Sequence, residues 1–200
     1  MGLLIINKKE ARFNFIEKIK KGSIFVVLTD TIYGLSCVFD NFDSLNRIKK
    51  IKRIENHRPF IILVSDFFML KKYFNVSVSQ EKLLKKIWGK NERPTSVILD
   101  AKDYICNQLK LDKKIGVAVR LPKRNFLIKI IKLLGKPLVS TSCNITGEKF
   151  LNNIKDIGCF FKTNIDQPDI ILKLEGERPG KRPSKLIDLR DFKNIKIIRD

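Results

Sequence analysis

Apolar residues along this chain fall into two alternating rhythms. Short contiguous runs bounded by Gly, Pro or polar residues read as buried strands. They are SIFVVL (23–28), PFIILV (59–64), TSVILDA (95–101), IGVAVRLP (115–122), PLVSTSCN (137–144), DIILKL (169–174), SKLIDLRD (184–191) and NIKIIRD (194–200). Between them lie stretches with helical spacing. Phe13, Ile16 and Ile19 repeat in this way before Gly22. Leu45, Ile48 and Ile51 do so over residues 42–54, with Asp43 or Ser44 as the expected cap. Residues 77–89 read as a helix capped by Ser77 and stopped at Gly89, and 125–135 as another. Strands alternating with helices predict an α/β (mixed α+β) fold, with a single twisted sheet flanked by helices. No repeat or low-complexity segment breaks the pattern, so residues 1–200 read as a single domain. EGERPGKRPS (175–184), the one Pro-, Gly- and charge-rich stretch, reads as a mobile loop.

Several strands run out into unusually polar turns. LTDTIYGLS (28–36) follows a buried strand with Thr29, Asp30, Thr31 and Tyr33, more chemistry than a plain turn requires. STSCNITG (140–147) places Ser140, Thr141, Ser142, Asn144 and Thr146 within seven positions. The third such loop ends at Ser184. Strand ends of open sheets are where ligands gather, and small hydroxyls with backbone N–H groups can cradle an anion. The plainer reading of the second loop is a turn satisfying its own backbone. Cations flank these loops: Lys52, Arg53 and Arg58 at a helix end, Arg120 at a strand end before Pro122, and Arg178, Lys181 and Arg182 in the late loop. A guanidinium fixed on a strand suits a carboxylate or phosphate, and a surface arginine is the ordinary alternative.

Composition narrows the chemistry. Net charge is 41 − 21 = +20, which favours polyanionic partners, although 30 of the 41 basic residues are Lys, as expected where coding bias enriches Lys, Ile and Asn. His57 is the only histidine, which argues against His-rich metal sites. Cys37, Cys106, Cys143 and Cys159 form no C-x-x-C pair and read as reduced thiols of a cytoplasmic protein. No apolar run approaches the ~20 residues of a membrane span, and the N-terminal residues do not read as a secretion signal. Neither a P-loop nor a G-x-G-x-x-G fingerprint is present.

Taken in order, the polar loops resemble one family. LTDTIYGLS resembles PTDTVYGLG, KRIENHRPFIIL resembles KGRPxxxPLxxL, and RPTSVIL resembles PGPxTxxL. VAVRLP resembles xAVRxP, PLVSTSCNITGE resembles PLxxTSANxSGE, RPSKLIDL resembles xPSTVVDL, and IIRD resembles IxRxG. The chain is thus similar to the YrdC-like family of threonylcarbamoyl-AMP synthases, in its short form, from about residue 10 to residue 200. The resemblance implies a YrdC-like fold with a basic concave face and a nucleotidyltransferase activity. L-threonine, bicarbonate (or CO2) and ATP with Mg²⁺ would give L-threonylcarbamoyl-adenylate and pyrophosphate. The adenylate would pass to downstream threonylcarbamoyl-transfer proteins, for N6-threonylcarbamoyladenosine at position 37 of tRNAs reading A-starting codons. The alternative it leaves is a non-catalytic RNA-binding relative in tRNA or ribosome maturation.

Site roles are also implied residue by residue. Thr29, Thr31, Tyr33 and Ser140 would line a threonine pocket, with Arg120 on the carboxylate. Lys52 would face the ATP phosphates, with Asn56, Arg58, Ser142, Asn144, Ser184 and Arg199 also on the nucleotide side. Lys52 and Arg120 would carry the catalysis, with no protein side chain assigned to a metal. The chain departs from the family pattern at Ile54 and Glu55, which stand for its arginine and proline, leaving Arg53 and Arg58 as nearby cations at other spacings. KNERP stands where PGP is expected, and Gly116, Cys143 and Lys185 replace threonine, alanine and threonine.

Overall fold

The computed structural model of the chain describes residues 4–7, 13–54, 60–162, 166–174, 176 and 178–200. In chain order the elements are β1 (Leu4–Asn7), α1 (Phe13–Lys20), β2 (Phe25–Leu28), β3 (Tyr33–Val38), α2 (Phe42–Lys52) and β4 (Ile61–Leu63). There follow α3 (Phe67–Tyr73), α4 (Val78–Ile87), β5 (Thr95–Leu99), α5 (Asp103–Leu109), β6 (Val117–Arg120) and α6 (Asn125–Leu134). Last come β7 (Leu138–Ser142), α7 (Ile154–Lys162), β8 (Ile170–Lys173), β9 (Lys185–Asp188) and β10 (Lys196–Arg199). The mixed α/β class expected from the alternating rhythms is the class observed. No helix among the described residues is long and apolar enough to cross a membrane.

The chain forms two compact units, Met1–Arg58 with Leu138–Arg182, and Pro59–Pro137 with Pro183–Asp200. The passage from the first unit to the second at Arg182–Pro183 falls within the Gly/Pro-rich stretch, of which Glu175 and Glu177 lie outside the described residues. In the first unit the strands run β1-β8-β2-β3-β7, with β1 and β2 parallel to β8 and β3 antiparallel to both β2 and β7. Every residue of β2 and β3 is buried, as expected of interior strands covered on both faces. Phe15 of α1 meets Phe25 of β2 edge-on at 5.5 Å, and both are buried; each such ring stabilises the fold by about 1.5–3 kcal/mol.

In the second unit the order is β4-β6-β5-β9-β10, with β4 parallel to β6, β5 antiparallel to β6 and parallel to β9, and β9 antiparallel to β10. A register shift between Ile197 and Arg199 breaks the last pair. Ser77 caps α4 as the sequence suggests, in a reciprocal box with Gln80. Gln80 then reaches the carbonyl of Leu189 at 2.7 Å.

Other elements depart from the sequence reading. The cap of α2 is Asn41, whose Oδ1 accepts from Ser44 N at 2.9 Å, so Asp43 and Ser44 lie inside the first turn. Ser44 Oγ instead ties that turn to Gly22 O at 2.6 Å. Strands β1 and β3 and helices α3, α5 and α7 escape the sequence reading. Their runs are short, or, as in YGLSCV, mix Gly, Ser and Cys in a buried strand that shows neither alternation nor a greasy run.

Candidate functional site

In the first unit the polar motif that follows β2 is a tight turn, not an open loop. β2 and β3 pair as a hairpin through Leu28 and Tyr33. Thr29 N and Thr29 Oγ1 both donate to Ile32 O, at 3.2 and 2.8 Å. Thr29 Oγ1 also accepts from Thr31 N at 3.2 Å and lies 2.9 Å from Thr31 Oγ1. Thr29 is 2% exposed, and Thr31 and Tyr33 are buried as well. The hydroxyls the sequence singled out therefore build the turn and share one small volume.

Strand β7 lies beside β3, with Ser140 opposite Ser36 and Ser142 opposite Gly34. Ser36 Oγ donates to Ser140 Oγ at 3.2 Å. Glycine lets the strands approach closely at position 34: a Cβ there would stand 2.7 Å from Ser140 Oγ and 3.4 Å from Thr29 Cγ2, so Ser140 would have to shift. That close approach brings Thr29 and Ser140 to the same backbone position. The late loop reaches this turn too: Gly180 N donates to Thr31 O at 2.5 Å, and a Cβ on Gly180 would lie 2.8 Å from that oxygen.

Lys52 ends α2. The next residue, Arg53, takes a left-handed conformation at φ 50°, and Ile54 N bonds back to Lys49 O at 3.0 Å, so the helix stops abruptly. Lys52, on the last turn, reaches the end of β7. Its Nζ donates to Ser142 O at 2.8 Å, Asn144 O at 2.9 Å and Asn144 Oδ1 at 2.8 Å. Ser142 Oγ donates to Asn144 Oδ1 at 2.6 Å, and Thr146 N returns to Lys52 O at 3.0 Å. Lys52 is 4% exposed, and burial pushes its ammonium down from the usual lysine value to about 8. The structure brings Lys52, Ser142 and Asn144 together. It also shows the 142–146 turn using its oxygens on that ammonium as well as on its own backbone. The neighbouring Cys143 thiol is pushed up to about 12 by burial and stays protonated.

In the second unit the strand ends gather cations. Arg120 closes β6 at 4% exposure, and its carbonyl accepts from Val64 N at 3.1 Å. Ser184, just before β9, is buried with Ser96 of β5, their hydroxyls 2.9 Å apart. Arg199 of β10 donates through Nε and Nη2 to Ser184 O, at 3.1 and 2.9 Å. Burial first, then the charges of Arg120 and Arg93, hold Arg199 below the usual guanidinium value. Arg120, Ser184 and Arg199 thus belong to one electrostatic neighbourhood. Asn56 and Arg58 lie outside the described residues. The sequence reading omitted Ser36 and Ser96, whose partners stand 104 and 88 residues away. The one signal for them was a hydroxyl inside an otherwise apolar buried strand.

Comparison with known proteins adds to this geometry. The Sua5/YciO/YrdC family model, described as Telomere recombination, matches residues 17–200. The threonylcarbamoyl-AMP synthase of Neisseria meningitidis serogroup A is 26% identical over 181 residues, 89% of this chain and 90% of that protein. YciO of E. coli matches in structure with a TM-score of 0.79 at 20% identity, covering 100% of this chain and 95% of its own. P. abyssi Sua5 complexed with L-threonine matches at 0.75 and 20% identity, over 94% of this chain and 54% of that one. These two structural likenesses concern the fold. With the family match spanning all but the first sixteen residues, the chain belongs to the Sua5/YciO/YrdC family.

Proposed function

We propose that this protein is a threonylcarbamoyl-AMP synthase, an ATP-using nucleotidyltransferase. It joins L-threonine, bicarbonate or CO2 and ATP into L-threonylcarbamoyl-adenylate with release of pyrophosphate. The observation that carries this reading is the likeness to synthases over 89% of the chain. The two residue clusters supply the chemistry such a reaction needs. The threonine amine adds to CO2 and releases a proton to solvent, and the carbamate oxygen attacks the α-phosphate of ATP while the bond to pyrophosphate breaks. No protein nucleophile enters. The protein aligns two anions and offsets their repulsion, and alignment alone can be worth ~7–11 kcal/mol of barrier.

Thr29, Thr31, Tyr33 and Ser140 serve the amino acid in this scheme, and Arg120 serves its carboxylate as a two-pronged donor. Lys52, Ser142 and Asn144 serve the nucleotide, with Ser184 and Arg199. Lys52 exchanges one of its clustered oxygen partners for a phosphate oxygen as ATP arrives. Mg²⁺ belongs to the substrate as MgATP, held by phosphate oxygens and water. The contact of Gly180 with the Thr29–Thr31 turn lets the late loop help exclude water from a product that hydrolyses readily. The adenylate would feed N6-threonylcarbamoyladenosine formation in cytoplasmic tRNA through a downstream transfer protein.

The test is pyrophosphate release from ATP measured with and without L-threonine and bicarbonate, and with L-serine in place of threonine. Threonine-dependent release supports the synthase; folded protein that releases none above blank retires it. The +20 charge and Ile54 favour a second reading, a non-catalytic RNA-binding relative. That reading expects RNA affinity falling steeply with salt and no turnover.

A further inference from the structure

We infer that Arg93 binds the phosphate chain of the nucleotide, acting with Arg199 at the strand ends of the second unit. The inference deepens the synthase reading and rests on it. Arg93 stands two residues before β5, in the KNERP stretch where a side chain of this size was not expected. Several bonds place it among the groups already described. Pro94 O accepts from Lys185 N at 3.0 Å, which fastens the start of β5 to the start of β9. One strand position on, Ser96 meets Ser184, whose carbonyl carries the Arg199 guanidinium. Arg120 lies one step beyond the Val97–Val119 pair of the β5–β6 ladder. The starts of β5 and β9 and the far ends of β6 and β10 therefore converge on one edge.

The guanidinium of Arg93 is only half used. Nη1 pairs with Asp200 Oδ1 at 2.8 Å, while Nη2 is buried and has no hydrogen-bond partner among the described residues. A buried, charged donor left unmade is costly and calls for an explanation, of which a bound anion is one. Charge balance points the same way. Among the described residues, Arg93, Arg199 and Lys185 meet at this edge with Asp200 as the carboxylate that pairs with Arg93 and Lys185. The surplus calls for an anion of several charges, and a guanidinium fork matches phosphate oxygens. A polyphosphate meets that demand better than a single carboxylate.

Arg93 is also held in place before any ligand arrives. Lys123 Nζ donates to Gly89 O at 2.6 Å, to Lys90 O at 3.3 Å and to Glu92 O, and Glu92 N closes the turn on Gly89 O at 3.2 Å. The residue thus leaves a clamped turn, which lowers the ordering cost of binding.

The test is calorimetric titration of the full chain with Mg²⁺ and α,β-methylene-ATP, and separately with L-threonine. Arg93→Gln is expected to weaken the triphosphate analogue about 10- to 100-fold, the loss for one charge-assisted hydrogen bond, and to leave L-threonine affinity within about threefold. Asp200→Asn removes the same ion pair but keeps the guanidinium, so it should bind the analogue as tightly as wild type or more tightly. If Arg93→Gln does not fold, Arg93→Lys is measured with the same expectation, since it loses the Nη2 donor. Undiminished analogue binding by the Arg93 variant overturns the inference and leaves the synthase reading standing. Asp200→Asn losing as much as Arg93→Gln overturns it as well, by showing a structural role. Wild type that binds no triphosphate overturns both readings.

Discussion

Replacing Gly34 with alanine tests how β3 and β7 are packed around the proposed threonine residues. The new Cβ would stand 2.7 Å from Ser140 Oγ and 3.3 Å from the Thr141 carbonyl, on a strand with neighbours on both sides. Overpacking of this kind costs about 1–3 kcal/mol. Ser140 can turn away only by losing the hydrogen bond from Ser36, worth about 1 kcal/mol net. Stiffening of the unfolded chain returns about 0.4–1 kcal/mol. The balance is a loss of roughly 1–3 kcal/mol. Gly158 in α7 is the control: its added Cβ would meet Ile5 Cδ1 at 3.9 Å, an ordinary contact, and alanine gains about 1 kcal/mol of helix propensity. One substitution is thus expected with opposite signs at two buried glycines. Urea unfolding followed by circular dichroism measures both. The Kd for L-threonine is expected to rise at least several-fold for Gly34→Ala and to stay unchanged for Gly158→Ala. Gly34→Ala within about 0.5 kcal/mol of wild type, with normal threonine binding, would refute the packing argument.

Arg120→Ala is expected to weaken L-threonine more than ATP and Lys52→Ala to impair ATP turnover more than threonine binding; titrations showing equal effects on both ligands contradict the assignments. Because burial lowers Lys52 to about 8, its ammonium is lost as pH rises through that value, so kcat/KM for ATP should fall above about pH 8. The same shift has a stability consequence of opposite sense. Between about pH 8 and the ordinary lysine value the unfolded chain keeps a proton that the folded chain has shed, so stability gains from this group as pH rises, and Lys52→Met removes that slope. Ser96→Ala leaves the Ser184 hydroxyl without its closest partner and should cost about 1–3 kcal/mol, while the Ser96→Ala/Ser184→Ala pair costs less than the sum of the singles; additive losses in the denaturation cycle would break the pairing.

Local pattern was enough for much of the chain. Contiguous apolar runs located β2, β4 to β10 and, with the 3.6-residue spacing, α1, α2, α4 and α6, because burial of a strand or helix face leaves its period in the residues themselves. The ordered motifs also named the family. β3 was illegible for a physical reason: an interior strand selected for close approach keeps Gly34 and Ser36 where a pattern reader expects large apolar residues. The Arg53 left-handed stop and the Asn41 cap depend on backbone geometry that several residue types can adopt.

The sequence by itself determined which chemistry this protein carries: its hydroxyl-rich turns, its lysine at a helix end and its arginines at strand ends. Tertiary structure alone decided which of them meet. Lys52 reaches oxygens about 90 residues away, and Ser36 finds Ser140 across 104. Neighbouring strands lie less than 5 Å apart whatever their distance along the chain, so the partners of a buried polar group are chosen by strand order and register. Neither is written in the period of any one segment.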